Sequence, residues 1–232
     1  MTGKTAMRWY FSFRSPYSWL SYRDLMARYP DVADALEWTP FWEPDDRSQR
    51  MLAEADGNFP YTEMSREKHR YILQDVRRLA RSRGLAVAWP VDRKPCWEVA
   101  HLAYLVADAH GKGREYVAAV YRERWERGHD ISLRSTIAAV SREIGLDPAL
   151  LADAADDEEV RRQGLDVLLA IERDGVFGVP FFVRGYDKFW GVDRLPDVVA
   201  LVRAGAGDDS EPVEAPGPTG LVVDSGHAGG CG

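Results

Sequence analysis

A cluster of hydroxyls stands where the chain turns from an aromatic run into a helical pattern: Phe11-Ser-Phe-Arg-Ser15-Pro16-Tyr17-Ser18-Trp19-Leu20. Serine suits a helix N-cap and proline the first helical position, so a helix is predicted to open at Pro16. The first turn of a helix has backbone N–H groups without intrahelical partners and a partial positive charge, which together stabilise an anion such as a thiolate. Ser15 reads either as a plain cap or as a hydroxyl donor to such an anion. Farther on, Gly175-Val-Phe-Gly178-Val179-Pro180-Phe-Phe-Val183 puts a proline at the start of a strand, where the X–Pro bond is trans or, less often, cis. Asp193 follows Trp190-Gly191 and reads as the N-cap of a last helix, with Arg194 beside it as a charge partner or a surface residue. Lys68, Tyr71, Asp75 and Arg78 share an Arg-rich helix, where Lys68 is either a ligand group or part of a solvated face. The two cysteines, Cys96 and Cys231, form no CxxC, and the five histidines form no HExxH. No metal centre and no disulfide chemistry is expected.

These groups need elements to hold them. Residues 7–13 read as a buried strand, Pro16 to about Tyr29 as a helix broken by Pro30-Asp31, and Leu36 to Trp42 as a second strand. Strand, helix, strand within 43 residues points to a parallel sheet. From about Thr62 to Gly175 the pattern is helical with short breaks, including Trp97 to His110, Arg114 to Glu126, Ser132 to Ile144 and an acidic start at Asp156. Phe181–Val183 and Lys188–Trp190 then form a hairpin about Gly185-Tyr186-Asp187, and Asp193 to Arg203 closes the body as a helix.

The chain has 232 residues with 30 basic and 37 acidic side chains, a balance that disfavours a nucleic-acid surface. No apolar run reaches the roughly 18–20 residues that span a bilayer. The first ten residues lack a secretory pattern, so a soluble, cytoplasmic protein is expected. Gly205 to Gly232 has no Phe, Trp or Tyr and no Lys or Arg, and Gly or Pro at 11 of its 28 positions. It reads as a flexible acidic tail.

The split architecture and the motifs resemble the family of 2-hydroxychromene-2-carboxylate isomerases and kappa-class glutathione transferases, over about residues 7–204. The resemblance rests on the segment around Ser15-Pro16-Tyr17-Ser18, the K-x₂-Y-x₃-D-x₂-R spacing from Lys68 to Arg78, the Arg127-Gly-His-Asp130-Ile131 turn, and the Val179-Pro180 and Trp190-Gly191-Val-Asp193 segments. It implies an α/β, thioredoxin-like (DsbA-type) fold with a large inserted all-helical domain. Residues 1–43 and 166–204 would form the two halves of the thioredoxin-like domain, 44–165 the insertion and 205–232 the tail. It implies a glutathione (or other low-molecular-weight thiol) dependent isomerase of a conjugated aromatic carbonyl compound, with the thiolate held by Ser15. A glutathione transferase, or a thiol-independent binding or tailoring protein, is the alternative. By the same resemblance Asn58, Lys68, Val179, Pro180, Asp193 and Arg194 would bind the cofactor. Arg14, Tyr17 and Trp42 are expected to line the pocket of an aromatic or polyene substrate, and relatives suggest a homodimer. Arg14 and Glu43-Pro44-Asp45-Asp46 depart from the family pattern, which bears on the substrate more than on the fold.

Overall fold

A computed structural model describes residues 6–60 and 64–207. The acidic tail beyond 207, with Cys231, lies outside the described residues, as does Thr62, where the helical pattern is expected to begin.

The first strand, β1 (Arg8–Phe11), leads into α1 (Pro16–Arg28), α2 (Pro30–Ala35) and β2 (Glu37–Pro40). β1 pairs in parallel with β2, Trp9 opposite Trp38. The late strands β3 (Phe181–Arg184) and β4 (Asp187–Trp190) form an antiparallel hairpin, and β3 runs antiparallel to β1, with Trp9 opposite Phe182. The sheet order is β2-β1-β3-β4. This is the split βαβ and ββα arrangement expected from the sequence.

Three local differences have physical causes. β1 is shorter than the predicted 7–13 because the N–H groups of Ser12 and Phe13 go to side chains, Ser18 Oγ at 3.2 Å and His101 Nε2 at 3.1 Å. Pro30 does not only end α1; it opens α2, since a proline at the first helical position gives up no hydrogen bond. The last helix, α10 (Leu195–Gly207), begins after a 3₁₀ turn at Val192–Arg194 rather than at Asp193. It also runs three residues into the segment expected to be tail.

Between β2 and β3 lie α3 (Asp46–Glu54), α4 (Arg66–Ser82), α5 (Glu98–Ala109), α6 (Gly113–Tyr121), α7 (Arg134–Glu143), α8 (Pro148–Ala152) and α9 (Glu158–Arg173). α6 continues into a π-helical turn, Arg122–Glu126. α5 is the hub, packing on α6, α7, α8 and α9. The expected boundary at residue 165 falls inside α9, because that helix serves both sides. It packs on α3 and α5, and Asp174 at its end accepts from Tyr10 Oη at 2.7 Å and Arg8 at 2.5 Å on the sheet.

Sheet and insertion share one aromatic core. Phe11 packs edge-on against Trp38 and Tyr104, and Phe13 against Tyr116 and Tyr121. Each buried phenol of this set donates to a backbone carbonyl: Tyr104 to Trp38, Tyr116 to Ala100 and Tyr121 to Ser12. Buried rings thus give apolar area without leaving an unpaired hydroxyl. No described helix is long and apolar enough to cross a membrane.

Candidate active site

Ser15 caps α1 with extended backbone, and its hydroxyl oxygen accepts from Ser18 N–H at 3.2 Å. The same hydroxyl donates to the Val179 carbonyl at 3.4 Å, across from the helix end. That contact is long for an O–H···O bond. The Val179–Pro180 peptide is cis, and the Pro180 carbonyl accepts from Gly191 N–H at 3.0 Å, tying the bend to β4. The first turn of α1 carries no acidic residue, so no carboxylate of its own neutralises its positive end.

Ser15 opens onto a cavity of about 630 Å³. One wall comes from the segments after the strands: Phe41, Trp42 and Glu43 after β2, and Phe177, Gly178 and Val179 before β3. Trp190 of β4 closes that side. The opposite wall comes from the insertion: Met64, Lys68, His69, Ile72 and Leu73 around α4, then Trp89, Pro90 and Asp92, and Arg124 and Trp125 from the π turn. A concave, aromatic-walled pocket with a few polar groups is how small-molecule sites are built. Gly178 is required by closeness: a Cβ there would stand 2.9 Å from Trp190 Nε1.

Four charged wall groups form two pairs. Arg14 meets Glu43 at 2.5 Å. Arg124, almost wholly buried, makes a bidentate pair with Asp92 at 3.0 and 2.8 Å. Its guanidinium also lies about 5 Å from the rings of Trp97 and Trp125.

Of the residues singled out by sequence, Ser15, Val179, Lys68, Arg14 and Trp42 line this cavity. Pro180 stands one residue behind the wall. Tyr17, expected in the substrate pocket, does not line it: its hydroxyl donates to Asp75 at 2.8 Å and joins α1 to α4. Asn58 is exposed and outside the lining, its backbone N–H bound to Glu172 at 2.8 Å. Asp193 is not an N-cap; it lies inside the 3₁₀ turn that precedes the last helix, a turn capped by Gly191 with φ 106°. The Asp193 carboxylate is mostly exposed, 3.4 Å from Arg194. Trp9, Trp19 and Trp38 are core, while Trp89, Trp125 and Trp190 join Trp42 on the cavity wall.

Two buried polar residues of α5 stand behind the site. Glu98 accepts from Trp42 Nε1 at 3.2 Å and from Asp45 N–H at 2.6 Å. Burial, and then the neighbouring Asp45 carboxylate, push its carboxyl above the ordinary range. Asp45, Cys96 and Glu98 gather ligand-type atoms, but both Asp45 oxygens are engaged by Arg161 at 2.9 Å. The cluster thus fixes the segment after β2. His101 is wholly buried; its Nδ1–H donates to the Trp97 carbonyl at 2.7 Å, so Nε2 is the acceptor facing Phe13 N–H. Burial lowers its pKa to about 3, which keeps the ring neutral.

Comparison with known proteins agrees with this architecture. Residues 7–203 match the family model of the DsbA-like thioredoxin domain. The 2-hydroxychromene-2-carboxylate isomerase of Pseudomonas putida is 27% identical over 188 residues, covering 80% of this chain and 88% of its own. A solved 2-hydroxychromene-2-carboxylate isomerase superposes with a TM-score of 0.67 at 22% identity, over 88% of this chain and 99% of that one. A probable DsbA oxidoreductase from Streptomyces coelicolor superposes with a TM-score of 0.61 at 15% identity, over 90% and 93% of the two chains.

Proposed function

The chain belongs to the DsbA-like thioredoxin domain family, and from that premise we propose that it is a thiol-dependent isomerase of a conjugated aromatic carbonyl compound. The observation that carries the reading is the Ser15 hydroxyl, set at an acid-free helix N-terminus on the wall of an aromatic cavity. The isomerases among its relatives support the reaction class. Serines at positions 15 and 18 exclude a cycling disulfide there.

The donor set fits a thiol. Ser15 has a hydroxyl whose present partner, the Val179 carbonyl, is held at only 3.4 Å. Exchanging that carbonyl for a thiolate gives a charge-assisted hydrogen bond, roughly twice as strong as a neutral one. Pro16 has no N–H, so the donors of the helix end begin at Tyr17. We assign Lys68, on the cavity wall, to a carboxylate of the thiol cofactor, glutathione in the first instance. Asp193, exposed beside Gly191, is assigned to its amino group, and Asn58 and Arg194 are left to its outer arms. When bound, the cofactor supplies a sulfur that adds to a conjugated carbon and leaves unchanged, so the bond it interrupts can rotate. Trp42, Trp89, Trp125 and Phe177 hold a flat substrate and keep water from the reacting atoms.

Calorimetric titration with glutathione, on the unmodified protein and on Ser15→Ala, tests the reading, alongside turnover of 2-hydroxychromene-2-carboxylate. Expected are binding and isomerisation that both collapse in Ser15→Ala while the fold is kept. A stable thioether product would shift the reaction to conjugation, and a fully active Ser15→Ala would remove Ser15 from the mechanism.

A further inference from the structure

We propose that His101 is a positioning residue for the thiol site: a neutral acceptor, supplied by the helical insertion, that sets the turn carrying Ser15. The inference rests on the thiol reading of that site.

The argument starts from the turn between β1 and α1. It leaves the sheet at Ser12, so its backbone groups need other partners, and the insertion provides most of them. His101 Nε2 accepts from Phe13 N–H at 3.1 Å and from the Ser12 hydroxyl at 3.3 Å. The Ser12 hydroxyl in turn accepts from Arg14 N–H at 3.3 Å. Tyr121 Oη donates to the Ser12 carbonyl at 3.2 Å, and Trp125 Nε1 to the Phe13 carbonyl at 3.0 Å. Ser15 N–H then closes on the Ser12 carbonyl at 3.2 Å. The imidazole therefore governs Ser12, Phe13 and Arg14, the three residues before the capping serine, without reaching the cavity itself.

The ring is locked from behind. Its Nδ1–H is spent on the Trp97 carbonyl, and it stacks on Trp42, a cavity wall, with centroids 5.7 Å apart. Phe13 packs on its other side at 5.0 Å. The charges that face it, Arg124 and Arg14, are both cationic and disfavour protonation. An imidazolium would have no acceptor for Phe13 N–H, so the role requires the neutral ring. A small displacement of Ser15 matters because the site works by aiming one hydroxyl and one helix end at a single sulfur.

The test compares His101→Phe, which keeps a stacking ring and removes the acceptor, with His101→Gln, which restores an acceptor. The readout is the pH at which protein-bound glutathione ionises, followed by its thiolate absorbance, with affinity measured by calorimetry. We expect ionisation to move up by about one pH unit in His101→Phe and to return most of the way in His101→Gln. Should His101→Phe not fold, Ser12→Ala breaks the same relay and is expected to shift ionisation in the same direction. Unchanged ionisation in a folded variant overturns the proposal, as does a His101→Gln that restores nothing. A limb near the ordinary histidine range in the pH dependence of glutathione affinity, lost in His101→Gln, would make His101 a titrating base and also overturn it. If the unmodified protein binds no thiol, the functional reading fails and this inference with it; binding that the variants leave untouched defeats the inference alone.

Discussion

The guanidinium of Arg14 lies 2.5 Å from the Glu43 carboxylate and 5.3 Å from the centre of the Trp97 ring, at the residue next to Ser15. Arg14 and Glu43 both line the cavity and are about two-fifths exposed, so this ion pair forms its rim and contributes little to stability. It holds a cation beside Ser15 while countering it with an anion.

Glu43→Gln is therefore expected to tighten binding of anionic ligands, glutathione included, by about two- to fivefold, and to steepen the salt dependence of that binding. Arg14→Gln should weaken it. The thermal midpoint should hardly move in either. Equal affinities across the three proteins would show that the rim pair plays no part in ligand charge selection.

Asp92 and Arg124 should behave differently, because Arg124 is buried between two tryptophans. Asp92→Asn leaves an uncompensated buried cation and should cost about 3–5 kcal/mol in urea unfolding. The double change Asp92→Leu with Arg124→Met should recover most of that loss. An Asp92→Asn protein as stable as the parent would mean that water or another group reaches the guanidinium.

His101 gives a pH signature. Its folded pKa, about 3 because of burial, lies below the unfolded value near 6.5, so between those limits the unfolded chain binds the extra proton. Stability is full above pH 6.5 and falls as pH drops, by up to about 1.4 kcal/mol per pH unit, levelling off near pH 3. The folded-state difference between parent and His101→Gln should shrink along that slope. A difference independent of pH from 6.5 to 4 would place a proton on the folded ring.

Much of the frame was legible in the residues. The aromatic run before Ser15-Pro16, the Gly-Val-Pro segment and the hairpin around Gly185 each encode backbone geometry locally, and they point to the cap at Ser15, the turn at Val179-Pro180 and the sheet. What escaped is what distant packing decides. Arg124 reads as a solvated charge on a helix, and only the π turn and Asp92, from an irregular segment with no periodicity, show it to be a buried wall group. Trp89 belongs to that same segment. Glu98 and His101 sit in a mostly apolar helix, where their type alone does not tell whether a partner waits inside. Tyr17 is expected in the pocket from the resemblance alone, yet Asp75 on α4 draws it away.

The central strand has its last partner far along the chain: Arg8, Trp9 and Tyr10 lie opposite Val183, Phe182 and Phe181. A nascent chain emerging from the ribosome can pair β1 with β2 early, but the other edge of β1 waits until nearly the whole body has been synthesised. Such non-local closure is intrinsically slow, and during the wait an open strand edge flanked by Trp9 and Phe11 is available to other chains. Truncations that stop short of Val183 should accordingly go to inclusion bodies or to holdase chaperones.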